Sequence, residues 1–170
     1  NGILPLTIFA AQNGYKKVFV PSVNAAEASL VPDIEIYPVE NFLQIIAHLT
    51  GERLIMKTEP IAIEQWFEYE DTEMDMAYIK GQEFVKRALE IAASGAHNIL
   101  LSGPPGSGKT LLARTLPSIL PKMTNKEAIE VTKIYSVAGL LPKDKPIVTT
   151  RPFRAPHHSA SGVALVGGGK

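Results

Sequence analysis

Cysteine is absent from the 170 residues, and that gap removes disulfide scaffolds, zinc ribbons and thiol nucleophiles from consideration. Aromatic residues are few, at 7% with one tryptophan, and neither sign of charge dominates, since 17 basic side chains face 17 acidic ones. Long apolar runs are missing as well. Ile3-Leu4-Pro5-Leu6 and Ile99-Leu100-Leu101 fall far short of the roughly 20 residues that a membrane helix needs. No basic segment precedes a long apolar stretch in the manner of a secretory leader. With 45% hydrophobic and 20% charged residues, the remaining expectation is a soluble, cytoplasmic chain of one or two domains with no membrane partner. The chain opens on Asn1 rather than Met and closes on Gly167-Gly168-Gly169-Lys170, which reads as a fragment of a longer protein.

The balanced total conceals an uneven distribution. Residues 1–75 carry 4 basic and 12 acidic side chains, whereas residues 76–170 carry 13 basic and 5 acidic. Opposite local fields suggest two functional units, of which only the second attracts a polyanion; the alternative is that complementary halves dock on each other.

The first part alternates between helical and extended patterns. Leu4 to Gln12 is an apolar helix candidate that Asn13-Gly14 can end. Val18-Phe19-Val20 reads as a buried strand stopped by Pro21, and Asn24-Ala25-Ala26-Glu27 has capping-box spacing for a short helix. Ile34-Glu35-Ile36-Tyr37 alternates as a strand that Pro38 closes. Asn41 can cap a helix over Phe42 to Leu49, with Phe42, Ile45, Ile46 and Leu49 on one face. This order predicts two parallel strands joined by a crossover. His48, a lone histidine on that helix, is read as structural or exposed. Glu64, Glu68, Glu70, Asp71, Glu73 and Asp75 then crowd an acidic joint, where like charges predict an exposed linker; Trp66, Phe67 and Tyr69 can dock part of it on a neighbour.

The segment Gly103-Pro104-Pro105-Gly106-Ser107-Gly108-Lys109-Thr110 satisfies the phosphate-loop pattern in full. His97 to Leu101 predicts a strand entering it, and Thr110 to Leu116 a helix leaving it. The glycines let successive N–H groups point into one concavity, and the helix N-terminus adds partial positive charge there. Lys109 is the candidate charge stabiliser for the β and γ phosphates, and the Thr110 hydroxyl the candidate ligand for Mg²⁺. Val85, Ala88, Leu89 and Ala92 stripe a preceding helix, and Tyr78 with Ile79 can wall an adenine ring or serve simply as core.

Downstream, Asn125 to Tyr135 is a helix candidate and Ile147 to Thr150 a short strand, one arm of a projecting loop. Lys143, Lys145, Arg151 and Arg154 stand among prolines with Phe153 between the arginines. Guanidinium groups pair with phosphates and an aromatic ring stacks on a base, so Arg151, Phe153 and Arg154 are candidate DNA contacts; pairing with acids of the first half or of another subunit is the alternative. His157-His158 lacks a neighbouring carboxylate and is read as structural or interfacial rather than metal-binding. After Thr110 the acids are Glu127, Glu130 and Asp144, and none ends an apolar strand where a hydrolytic acid belongs.

Two resemblances follow from these residues. Gly2-Ile3, Ala10-Ala11-Gln12-Asn13-Gly14 and Val18-Phe19-Val20-Pro21-Ser22-Val23-Asn24 resemble the end of a Lon-protease-like, S5-type α/β domain. Leu4-Pro5-Leu6 stand where a Lon-type catalytic lysine would follow the glycine, so protease activity is not implied. Ile79-Lys80-Gly81-Gln82-Glu83, His97-Asn98-Ile99-Leu100-Leu101, Tyr135-Ser136-Val137-Ala138-Gly139-Leu140 and Arg151-Pro152-Phe153-Arg154-Ala155-Pro156-His157-His158 resemble the magnesium-chelatase-like branch of AAA+ ATPases. With both parts in order, the chain is similar to the YifB/ComM-type, competence-associated ATPases.

The resemblance implies an α/β fold class: the end of a degenerate Lon-like domain over residues 1–56, an acidic linker over 57–75, and over 76–170 the start of a P-loop AAA+ domain with a parallel sheet. It implies ATP or ADP as ligand with Mg²⁺, bound by Tyr78, Ile79, Gly103, Pro104, Pro105, Gly106, Ser107, Gly108, Lys109, Thr110 and Leu111. It also implies a homo-oligomeric ring, expected as a hexamer, that uses ATP to move DNA. The fragment itself is expected to bind nucleotide without effective hydrolysis, with an Asp-Glu strand end lying beyond Lys170. The rival readings are a chelatase-type subunit driving metal insertion, a small-molecule kinase and a nucleotide-dependent scaffold.

Overall fold

The computed structural model describes residues 1–67, 74–142, 144–157, 159–162 and 167. The chain is α/β and divides into two compact units: Asn1–Asp71 with Lys122–Thr150, and Thr72–Pro121 with Arg151–Lys170. The segment following the phosphate-loop helix therefore packs with the N-terminal unit, and the chain returns to the second unit at Arg151.

In the first unit, α1 (Ile3–Gln12) leads to β1 (Lys17–Pro21), a short α2 (Ala25–Ala28), β2 (Glu35–Val39) and α3 (Phe42–Leu49). β1 and β2 pair in parallel from Lys17–Glu35 to Pro21–Val39, with α2 in the crossover as the spacing predicts. β2 does not stop before Pro38 but runs through it to Val39. On its other side β2 meets the described chain in a single bridge, Ile36 with Thr58, which leaves room at Pro38 for a residue lacking N–H. Asn24 does cap α2, but its amide donates to the buried Glu27 side chain at 3.0 Å and no side-chain bond to the helix backbone forms, so the expected capping box is not made. The cap of α3 is as expected, Asn41 accepting from the Gln44 N–H at 3.2 Å. Its apolar face is not covered as expected: Ile45 is half-buried, while Phe42, Ile46 and Leu49 are exposed. His48 has a structural role. Its Nδ1 accepts the Ile55 N–H at 2.9 Å, and its ring meets those of Phe19 and Tyr37 with centroids 5.6 and 5.0 Å away.

The helix α6 (Asn125–Ala138) closes this unit against α1. Thr124 and Glu127 form a complete capping box, and Gly139 ends the helix in the left-handed region at φ 69°. Its buried stripe, Ala128, Thr132 and Ser136, is made of small side chains at helical spacing, so α1 can approach closely enough for the Gly2 N–H to donate to the Ser136 carbonyl at 3.0 Å. The core joins Leu4, Val20, Ala28, Leu30, Ile34 and Ile36 to Met123, Ala128 and Ile147, with Trp66 and Phe67 packed on it. Ile147 to Thr150 is therefore not the arm of a projecting hairpin. Ile147 is buried, and the Val148 N–H donates to Thr132 Oγ1 at 3.0 Å, because an apolar pair gains more by burial on α6 than by projection into water. On the surface of the sheet, Glu35 meets Lys57 at 3.1 Å and the Tyr37 hydroxyl at 3.0 Å; these two bonds hold its carboxyl below the ordinary range.

The second unit contains α4 (Glu83–Ser94) and α5 (Lys109–Ile119) around a smaller core of Met76, Leu89 and Leu112, with Ile79, Val85, Ile99 and Leu101 against it. His97 to Leu101 is not paired into a sheet with any described residues. It keeps the alternation of a strand, since Ile99 and Leu101 face the core while Leu100 is exposed, but no described strand lies beside it.

Two neighbouring hydroxyls on α6 make contrasting claims on stability. Thr132 Oγ1 satisfies a buried backbone donor, whereas the buried Ser136 Oγ meets no partner among the described residues. Thr132→Val should destabilise the first unit by about 1–3 kcal/mol through the orphaned Val148 N–H, while Ser136→Ala should fall within about 0.5 kcal/mol of the parent or stabilise it. Urea denaturation followed by the fluorescence of Trp66 compares them, and equal losses would contradict this assignment of hydrogen bonds.

Candidate phosphate-binding site

The site is built from one loop and the first turn of one helix. Gly106 and Gly108 hold left-handed backbone angles, φ 76° and 82°, and a Cβ at either would meet no atom within 4 Å. Glycine is needed there for backbone conformation rather than for space. Gly103 is different: a Cβ would come within 3.3 Å of Ser107 Oγ, so close approach across the loop favours glycine.

Gly108 delivers the chain into α5, whose first helical bond runs from the Leu112 N–H to the Gly108 carbonyl at 2.9 Å. No side chain caps this helix. The N–H groups of Lys109, Thr110 and Leu111 thus form an electropositive end where an anion is favoured. The Lys109 ammonium donates to the Gly103 carbonyl at 2.8 Å, to the Pro104 carbonyl at 2.7 Å and to Ser107 Oγ at 3.2 Å. Those three bonds hold it over the same loop whose N–H groups the glycines free. Pro104, Pro105, Gly106 and Thr110 are exposed, so the Thr110 hydroxyl, one position after Lys109, is open to a hard cation that prefers oxygen.

Tyr78 and Ile79 enter the unit by another route. The turn Met76–Tyr78 is fixed on the far half of α5: the Met76 N–H donates to Ser118 Oγ at 3.0 Å, and the Thr115 hydroxyl reaches Met76 Sδ at 3.4 Å. Ser118 lies nine positions after Lys109, about 13 Å along the helix. Ile79 packs on the core and Tyr78 is largely exposed.

Arg151, Phe153 and Arg154 belong to the same unit as the loop. Arg151 is half-buried with its Nε–H donating to the Pro121 carbonyl at 2.7 Å, while Phe153 and Arg154 are exposed. His157 Nδ1 lies 2.7 Å from Ser159 Oγ, and His158 lies outside the described residues, as does Lys143. Among the described residues no group of three or more His, Asp or Glu could hold a metal. Glu127, the first acid after the loop, is committed to the cap of α6.

Sequence reasoning missed Thr124, although Thr124-x-x-Glu127 carries the capping-box signature. It also missed Ser118, Met76 and Pro121 as fastening points. Their partners lie 42, 39 and 30 positions away, and no local pattern announces them.

Comparison with known proteins places the chain in a family. The family model described as magnesium chelatase, subunit ChlI, matches residues 75–170. An uncharacterized protein of Mycobacterium tuberculosis is 44% identical over 174 residues, covering 99% of this chain and 33% of the relative. The competence protein ComM of Haemophilus influenzae is 42% identical over 172 residues, again 99% of this chain and 33% of the relative. The uncharacterized protein YifB of Escherichia coli is 37% identical over 155 residues, covering 91% and 29%. The chain thus spans about a third of the length of these relatives.

Replacing Lys109 by alanine removes the one side-chain cation of the loop. Nucleotide affinity of the full-length Lys109→Ala protein should fall at least about tenfold, since charge-assisted bonds to phosphate are among the stronger ones. Calorimetric titration with ATP and Mg²⁺ measures this, and parental affinity in the variant would remove the loop from the binding site.

Proposed function

Since the chain belongs to the magnesium chelatase, subunit ChlI, family and is of the YifB/ComM type, we propose that it carries the ATP-binding end of an AAA+ motor whose full-length form moves DNA. The observation that bears most weight is the pairing of an uncapped α5 N-terminus with the Lys109 ammonium over one glycine-shaped loop. The loop N–H groups and Lys109 take the β and γ phosphates of ATP, and Thr110 offers its hydroxyl to the accompanying Mg²⁺, which offsets phosphate charge. Lys109 is the catalytic contribution of this chain, a cation placed where negative charge develops. Glu127, Glu130 and Asp144 do not supply the hydrolytic acid, so within these residues nucleotide is held and positioned rather than turned over. Tyr78 and Ile79 complete the set on the base side.

Residues 1–56 are the end of a Lon-like domain without protease function. Their helix–strand–helix–strand–helix order fits an S5-type fold, and Leu4 is fully buried where a catalytic lysine would need access. The assembled form is a homo-oligomeric ring, a hexamer in this reading, working in the cytoplasm. Phe153 and Arg154, exposed in a proline-punctuated run beside the nucleotide unit, are the DNA contacts. A second reading, favoured by the description of the matched family, makes the full-length protein a chelatase subunit that drives metal insertion through partners. Exposed basic and aromatic groups together suit a polyanion with stacking bases better than they suit a protein partner.

DNA should stimulate ATP turnover by the full-length protein several-fold, and Arg154→Ala should lower the slope of log affinity against log salt by about 1. Phosphate release with and without DNA, and DNA titrations at several salt concentrations, check both parts. Turnover indifferent to DNA would favour the chelatase reading.

A further inference from the structure

The far end of α5 gathers three tertiary fastenings inside the second unit. Thr115 and Ser118 hold Met76 through its sulfur and its N–H, and two residues past the helix the Pro121 carbonyl accepts the Arg151 Nε–H at 2.7 Å. Pro117 lies within the helix just before this end. It cannot donate to the carbonyl one turn back, and the bonds of Thr115 and Ser118 to Met76 fasten the turn that this weakens. The near end of the same helix carries Lys109 and the uncapped N–H groups. The helix of 11 residues therefore has the phosphate loop at its head, and Pro121, which holds the root of the basic segment, follows two residues beyond its tail.

We propose that Arg151 is a positioning residue, tying the segment 151–157 to the far end of the phosphate-loop helix so that nucleotide in the loop orders that segment. The proposal rests on the nucleotide reading of the loop. A phosphate group draws Lys109 from at least one of its three acceptors and fastens the first N–H groups of α5. A helix fixed at its head moves less at its tail, and the Pro121 carbonyl then holds a steadier bond. The bond uses Nε, the guanidinium donor nearest the backbone, so it orients the chain of Arg151 itself and with it Phe153 and Arg154 just beyond. The coupling follows covalent helix and one hydrogen bond, a contiguous path whose two ends can each be altered.

Hydrogen exchange of peptides covering residues 151–157, in the full-length protein with and without ADP and Mg²⁺, tests this alongside calorimetry of ADP binding. Nucleotide should slow exchange there by at least about threefold in the parent, and Arg151→Ala should abolish the nucleotide-dependent part while ADP still binds. Arg151→Lys, whose ammonium lacks the planar, directional donor, should keep only part of it. Parental protection in Arg151→Ala overturns the proposal. If that variant fails to fold, the lysine variant decides, because protection equal to the parent's shows that the guanidinium bond is not needed. Bound ADP without protection in the parent overturns the proposal alone, whereas no ADP binding in the parent overturns the nucleotide reading with it.

Discussion

The second unit depends on a backbone that turns left-handed at Gly106 and Gly108 and so presents N–H groups inward before α5 begins. A loop of that shape gathers positive partial charge in one place. It is tolerable because the Gly103 and Pro104 carbonyls, pointing the other way, are taken by the Lys109 ammonium. The Pro104 carbonyl also accepts the Ser107 N–H at 3.4 Å, so the loop is tied within itself as well as to the lysine. Every other feature of the unit keeps this loop still. Leu112 and Leu101 anchor its two ends in the core, and the far half of α5 is fastened through Met76 and Arg151.

Local chemistry was legible from the sequence wherever one or two residues decide it. The left-handed glycines before α5, the Asn41 cap of α3 and the parallel crossover between β1 and β2 follow from glycine conformation, side-chain capping and apolar alternation, and the structure has all three. Features set by distant partners were not legible. Ile147 and Val148 read as the arm of a projecting loop, whereas the structure packs them on the core beside the small-residue stripe of α6, 11 to 20 positions earlier. The Arg151 bond to Pro121 gives no sequence signal because a backbone carbonyl has no residue identity. The α3 face shows the converse limit: amphipathic spacing reports what a helix is suited to bury, not what covers it.

The charge asymmetry of the chain takes on a different meaning once the units are known. The basic second half is divided between them, and Lys122, Lys126, Lys133 and Lys145 join the acidic first unit. There the Asn125 amide bonds Glu64 at 2.6 Å, with Glu64 held below the usual carboxylate range by its own backbone N–H and then by that amide. Basic side chains of the second half thus share a unit with the acidic first half through the return of the chain. What remains basic in the second unit includes Arg151 and Arg154, close in sequence and separated only by Pro152 and Phe153.

The phosphate loop cannot decide between a DNA motor and a chelatase subunit, because both would use its lysine and helix terminus for the same end. Discrimination has to come from groups that would touch the second partner, and under the proposed function those are Phe153 and Arg154. A segment that met only protein would gain from burying Phe153. Here Phe153 and Arg154 are exposed while Arg151 spends its Nε–H on a backbone carbonyl. That bond holds the backbone and leaves the residues beyond it facing solvent. An arrangement of this kind suits recognition of an extended, repeating anion, where register along the chain matters more than a closed pocket. The likeness to a chelatase subunit is one of family, and the reading as a DNA motor rests on the exposed Phe153 and Arg154.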